Sequence, residues 1–168
     1  MCSFAALGMA VPAQAGSSSQ RSEAVVVTPL SFIEVNDLKF GTIVPSTTSG
    51  GDVLLAPNGT RTATGGIVLI GNSHQTAEFA GQGTQNQIVD ISVGANTIWL
   101  TGPGPRMRVR RFQVGSTPTT QLTTNPQYFR ISSPSGIFRF PVGAELRVGR
   151  NQPAGLYTGT WDITLNYN

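Results

Sequence analysis

Residue types that supply most catalytic and metal-binding chemistry are nearly missing from this chain, which has one cysteine, Cys2, and one histidine, His74. A single cysteine can build neither an intramolecular disulfide nor a multi-cysteine zinc or iron–sulfur site. His74 lies in a loop-like stretch without neighbouring carboxylates, which favours a solvated histidine over a metal ligand or a catalytic base. The aspartate spacing of a calcium loop and the G-x-S-x-G elbow of hydrolases are also missing. We therefore predict a protein that is not an enzyme and has no cofactor and no metal site; a calcium site built from distant loops stays open as an alternative.

Charged residues and helix formers are scarce as well. Only 11% of the residues are charged, against about 25% in ordinary soluble proteins, and Lys39 is the one lysine. Glycine (20) and proline (11) are frequent instead, and we find no helical period outside the first residues. This composition predicts an all-β protein. The formal net charge of +3 is too small to indicate nucleic-acid binding, and no nucleic-acid partner is expected.

The N-terminus resembles an export signal. The apolar residues 2–11 are too few to span a bilayer, and Ala13-Gln14-Ala15 follows with the small residues that a signal peptidase reads. We predict a signal peptide at 1–15, removed after Ala15, and a flexible tail at 16–23. A short buried helix is the alternative, which fits less well because a Gly/Ser/Gln-rich stretch follows at once. The exported protein is predicted to be extracellular or at the cell surface, and not to span a membrane.

Short alternating runs separated by turn residues fill the rest of the sequence. The predicted strands cover 24–35, 38–44, 52–56, 66–70, 76–80, 87–93, 97–100, 106–114, 128–132, 136–148 and 156–167. Neither an internal repeat nor a linker divides them. We therefore predict a single antiparallel β-sandwich domain at 24–168.

Two long alternating runs lie near the C-terminus. In residues 138–148 the even positions are apolar, although Pro141 and Gly143 predict a bend or a break in the ladder. In the terminal strand the odd positions carry the large side chains, which we expect in the core. They are Tyr157, Trp161, Ile163, Leu165 and Tyr167. The tight connection at 151–155 predicts that the two runs form an antiparallel hairpin.

The N-terminal segment 24–35 is apolar on both faces, and Pro29 cannot donate a ladder hydrogen bond. Such a segment, following a flexible tail, is a candidate donor-strand arm that inserts into a neighbouring molecule. The residues that would insert are Ala24, Val25, Val26, Val27, Leu30 and Phe32. An ordinary first strand within the same domain is an equally open alternative.

One charged run stands out in this sparsely charged chain. Within 106–112, Arg106, Arg108 and Arg110 fall on one strand face. A solvated outer face that discourages edge aggregation is the favoured interpretation. Contact with acidic polysaccharide, lipopolysaccharide or another polyanion is the functional alternative.

Five motifs follow one another along the chain: LKFGTIV at 38–44, PNGTRTATGG at 57–66, VGAELRV at 142–148, NQPAGLYTGT at 151–160 and NYN at 166–168. This ordered set resembles domain-of-unknown-function family 4402, whose members are similar to spore coat protein U and to the subunits of archaic chaperone–usher pili. The resemblance implies an immunoglobulin-like β-sandwich without enzymatic activity. It also implies assembly in which a neighbour's arm completes the sheet, with a periplasmic chaperone and an outer-membrane usher as partners.

These observations together predict a secreted structural subunit of a bacterial surface assembly, fimbria-like or coat-like, that associates with itself. The alternative is a monomeric extracellular module that binds glycans or polyanions. That alternative requires exposed aromatic side chains, for which Trp99 and Tyr128 are the candidates.

The leader prediction is tested by mass spectrometry of the protein secreted by its host. Cleavage after Ala15 makes Gly16 the new N-terminus. An extracellular protein that still contains Cys2 would contradict both the cleavage site and the absence of thiol chemistry.

Overall fold

A computed structural model of the protein describes residues 21, 23–115 and 118–168. All regular structure within these residues is β-strand. The predicted signal peptide, 1–15, and the tail 16–23 except for residues 21 and 23 lie outside the described residues. In chain order the strands are β1 (Ser31–Asn36), β2 (Thr42–Val44), β3 (Gly51–Leu55), β4 (Arg61–Ala63), β5 (Val68–Ile70), β6 (Ala77–Gln82), β7 (Ile88–Val93), β8 (Thr97–Leu100), β9 (Met107–Val114), β10 (Thr120–Gln121), β11 (Gln127–Arg130), β12 (Ile137–Val148) and β13 (Ile163–Tyr167).

β12 is the central strand of an eight-stranded antiparallel sheet. One path of that sheet runs β1-β6-β12-β3-β4, and β9 pairs with β12, β8 and β10. The first half of β12 pairs with β6, and the second half lies between β3 and β9. The even positions Val142, Ala144, Leu146 and Val148 are buried, because an alternating strand turns one face to the core.

Pro141 and Gly143 mark the point at which β12 changes its ladder partner. The ladder with β6 ends at Val142, and the ladder with β3 begins at Ala144. Pro141 precedes the ladder with β9, which starts at Val142, so its missing N–H interrupts no hydrogen bond there. A Cβ on Gly143 would collide with the carbonyl oxygen of Leu55, so glycine permits this close approach of β3. The break expected from the sequence is therefore a switch of partner within a continuous strand.

Two smaller sheets pack with the eight-stranded sheet. One has the order β11-β7-β13, and the other pairs β2 with β5. A single core cluster joins the layers, since it contains Ile91 and Leu165 from the three-stranded sheet together with Val53 and Val109 from the large one. The prediction of an all-β protein with antiparallel sheets in a sandwich is confirmed.

The predicted C-terminal hairpin is wrong. β12 already pairs with β3, β6 and β9, so β13 pairs with β7 instead. The terminal strand is also shorter than predicted: its ladder begins at Ile163, opposite Val93, where β7 ends. Before that point, one bridge joins Thr158 to Thr101.

Aromatic side chains stack across the interior. The Trp161 ring lies 4.8 Å from Phe112, nearly parallel at 20°, and meets Phe79 edge-on at 5.8 Å. Phe79 in turn contacts Phe32 and Phe140, with centroid distances of 6.1 and 5.4 Å. Trp161 thus connects β6 and β9 although it precedes the ladder of β13.

Replacing Trp161 by alanine removes these contacts and leaves a cavity. We expect the free energy of unfolding to fall by about 2–4 kcal/mol, somewhat below the range for a fully buried tryptophan because this side chain is half-buried. Thr160→Ala, at the neighbouring exposed position, is the control and should change it by less than about 0.5 kcal/mol. Urea unfolding of the three proteins measures both effects, and equal small losses would contradict the inward orientation of Trp161.

Candidate functional site

An open apolar groove of about 1200 Å³ lies on the inner face of the large sheet. Its floor comes from the ends of three neighbouring strands and consists of Ile98, Leu100, Met107, Val109, Leu146 and Val148. Residues 38–45, which include β2, form one wall, and residues 152–161 form the other. The groove exceeds the roughly 300–1,000 Å³ of typical small-molecule pockets, and it suits an extended chain.

Backbone beside the groove has few ladder partners. β2 pairs with β5 on one side, and the groove lies along β2 as well. In the opposite wall, Thr158 makes the bridge to Thr101, with N–O distances of 2.7 and 3.0 Å. Pro153 and Gly155 belong to this wall and favour a turn over a strand. The walls therefore leave main-chain donors and acceptors available to an added strand.

The candidate arm divides into two parts. Leu30 and Phe32 pack against the core of their own chain, and β1 pairs with β6. Upstream, Val25 and Val26 are 77% and 93% exposed. The two parts meet at Thr28, whose N–H donates to Thr84 Oγ1 at 2.6 Å and whose carbonyl accepts from the Tyr167 hydroxyl at 2.6 Å. We therefore restrict the candidate donor strand, predicted at 24–35, to the valines that precede Thr28.

The other candidate residues of the terminal strand take different places. Leu165 is buried, Ile163 and Tyr157 are half-buried against the core, and the Tyr167 hydroxyl holds Thr28. Tyr157 also lines the groove, and its hydroxyl donates to the Pro153 carbonyl at 3.0 Å. This strand thus contributes both to the core and to the groove wall.

One rim of the groove is acidic. Glu34 and Asp37 both border it, together with Lys39. Desolvation raises the pKa of the Glu34 carboxyl, and the neighbouring Asp37 charge raises it further.

The arginines of β9 lie on the outer face of the same strands that form the groove floor. Arg110 is bound by the buried carboxylate of Glu145, with Nε and Nη2 each 2.6 Å from Oε1. Arg111 reaches the other oxygen, Oε2, at 3.0 Å. Arg147 and Asp52 form an adjoining pair at 2.8 Å. Arg110 is therefore held within the sheet by charge-assisted hydrogen bonds.

A β-bulge explains how two consecutive arginines reach one carboxylate. The register of β9 with β12 shifts between Gly143 and Glu145, and Arg111 has a φ of 52°. A bulge adds one residue to one strand and redirects its side chain. The sequence offered one signal for this pairing: Glu145 is an isolated acid in the apolar run VGAEL.

Arg106 and Arg108 have different surroundings from Arg110. The Arg106 guanidinium lies 5.2 Å from the centre of the Trp99 ring, and Arg108 stands opposite Trp99 in the register of β8 and β9. Trp99 is 47% exposed, and Tyr128, on the distant strand β11, is 62% exposed. Both aromatic candidates for a glycan site thus face solvent, although they do not lie on one sheet.

His74 has a structural contact. Its Nε2 lies 3.1 Å from the carbonyl oxygen of Gly59, which can only accept, so Nε2 carries the proton. Among the residues with described structure, no group of three or more His, Cys, Asp or Glu side chains is placed to hold a metal ion. The same part of the chain contains no helix long and apolar enough to cross a membrane.

Comparison with known proteins identifies one family. Residues 30–167 match the family model described as Domain of unknown function (DUF4402). No curated protein matches the chain, and no solved structure matches it.

The buried carboxylate of Glu145 should matter for stability. Glu145→Gln removes the charge that holds Arg110 and Arg111, whose side chains are 30% and 56% exposed, so we expect the free energy of unfolding to fall by about 1–3 kcal/mol. Glu78→Gln is the matched control, because Glu78 pairs with a side chain, Arg139, that is 63% exposed; it should cost less than about 1 kcal/mol. Chemical unfolding at neutral pH compares them, and a loss for Glu78→Gln as large as that for Glu145→Gln would contradict the structural role of the buried network.

Proposed function

The chain belongs to the family described as a domain of unknown function (DUF4402), and for this member we propose the role of a secreted, non-enzymatic structural subunit of a bacterial surface assembly. In this proposal the subunits polymerise by β-augmentation: the N-terminal arm of one molecule lies in the groove of the next. The observation that carries it is the presence, in one chain, of an exposed apolar arm and an open apolar groove whose floor this arm cannot reach.

The arm and the floor of the groove lie at opposite ends of β12. Thr28 bonds to Thr84, and the neighbouring Gly83 bonds to Gly136, at the start of β12. The groove floor uses the last residues of β12, Leu146 and Val148. Leu146 lies ten residue steps beyond Gly136 along extended chain, which corresponds to roughly 30 Å.

The chain from Thr28 back to Val25 is too short for this distance. Three residues extend by at most about 11 Å, so the valines cannot reach the groove floor of their own molecule. A second molecule can present its arm there. Because the two contact surfaces differ, the contact is head-to-tail, and it produces a filament wherever the rotation between subunits does not close a ring.

The family resemblance supports the same arrangement. An immunoglobulin-like sandwich that lacks one strand, as in archaic pilus subunits, has an apolar groove that a donated strand completes. Before assembly such a groove needs cover, which is the role we propose for a periplasmic chaperone, with an outer-membrane usher at the site of polymerisation.

Deleting the residues before Thr28 tests the proposal. The shortened chain keeps Thr28, Leu30 and β1 with their contacts, so it should unfold at the same temperature as the monomeric form of the full protein. It should no longer polymerise in size-exclusion chromatography and electron microscopy. A synthetic peptide of residues 21–29 should bind it, and the same peptide with serine at positions 25, 26 and 27 should not.

Monomeric full-length protein at high concentration, together with no binding of the peptide, would overturn assembly by arm exchange. Polymers that persist after the deletion would show that another surface joins the subunits.

A further inference from the structure

Two arginines on the outer face of the sheet, Arg106 just before β9 and Arg108 within it, have no acidic partner among the residues that the structure describes. Among the described residues, no carboxylate lies within ion-pair distance of Arg106 or Arg108, whereas Arg110 has two such partners and Arg111, Arg139 and Arg147 each have one. Unpaired guanidinium groups on a rigid sheet are available to an external anion, and their planar forks match carboxylates.

Trp99 lies between these two arginines. Arg106 stacks on its ring, and Arg108 is its direct neighbour across the ladder. The exposed part of the indole offers a flat apolar surface on which the C–H face of a sugar ring can be buried. Cations beside an aromatic platform are complementary to a sugar that carries a negative charge.

The turn that joins β8 to β9 is held in place before any ligand arrives. Gln152 is buried, and its Nε2 donates to the carbonyl of Pro105 at 2.5 Å. A Cβ at Gly104 would press on the Pro153 ring, so the turn packs closely against residues of the groove wall. Arg106 follows this fixed turn, which lowers the entropy cost of presenting it to a ligand.

We propose that Trp99, Arg106 and Arg108 form a binding site for a carboxylated polysaccharide, such as a polyuronate. Asp52 and Glu145 lie on the same face, and their negative charges repel a densely charged polyanion. A polysaccharide with one carboxylate per sugar has a lower charge density, so a few cations are enough to bind it. The site does not depend on arm exchange, because alternation places it on the face opposite to the groove floor residues Ile98 and Val109.

Isothermal titration calorimetry of the secreted protein with an oligogalacturonate, at low salt, tests this site. The oligogalacturonate should bind, and added salt should weaken the binding because the charges are exposed. Uncharged dextran oligomers and an oligothymidylate of equal charge are the comparison ligands, and both should bind more weakly.

The variants Trp99→Ala, Arg106→Gln and Arg108→Gln should each weaken oligogalacturonate binding by about fivefold or more, the size expected for one charged or stacked contact. Arg139→Gln makes the same change in net charge at a distant ion pair and should stay within about twofold. If Trp99→Ala does not fold, the two arginine variants carry the test, since both change exposed or half-exposed side chains.

Three results would overturn the proposal: no binding of the oligogalacturonate, an equal loss with Arg139→Gln, or tighter binding of the oligothymidylate. The last result would assign the face to nucleic acid. Polymer formation in the three site variants should equal that of the unchanged protein, so the outcome is separate from the test of arm exchange.

Discussion

β12 is the strand on which the larger sheet depends, since it pairs directly with β3, β6 and β9, and through them reaches β1, β4, β8 and β10. Its apolar face must stay continuous where the ladder partner changes at Gly143, because the even-numbered residues from Phe138 to Val148 all belong to one core cluster or pack against it. The described chain holds this arrangement without a disulfide. Hydrophobic burial and strand pairing therefore stabilise it together, and a small backbone change at Gly143 would affect both.

The alternation of apolar and polar residues allowed us to predict β-strands and the side chains that point toward the core, because side-chain direction in a strand is a local property. Trp161 is an example: its orientation follows from its odd position, even though it lies outside the ladder of β13. Pairing partners could not be predicted in this way. The expected hairpin failed because β3, β6 and β9 occupy β12, and such competition between distant segments leaves no mark in the intervening turn.

The candidate sites were likewise predictable only where they depend on local sequence. The exposed arginines of β9 could be found from alternation, but the pairing of Arg110 with Glu145 depends on a bulge at Arg111, a non-glycine residue with positive φ. A pattern of residue types does not predict such a conformation, because tertiary contacts stabilise it. The groove likewise belongs to no single segment. Its floor comes from three strands, and its two walls come from segments that lie more than one hundred residues apart in sequence.

The weakly paired wall of the groove has a kinetic consequence. Residues 156–160 are joined to the rest of the sheet mainly by the Thr101–Thr158 bridge, whereas β12 has ladders along most of its length. Local opening of a segment needs only the free energy of its own contacts, far below that of global unfolding. The groove can therefore widen at this wall while the central strands stay paired. A partner strand would then enter through the same local opening that the native protein undergoes at low free-energy cost.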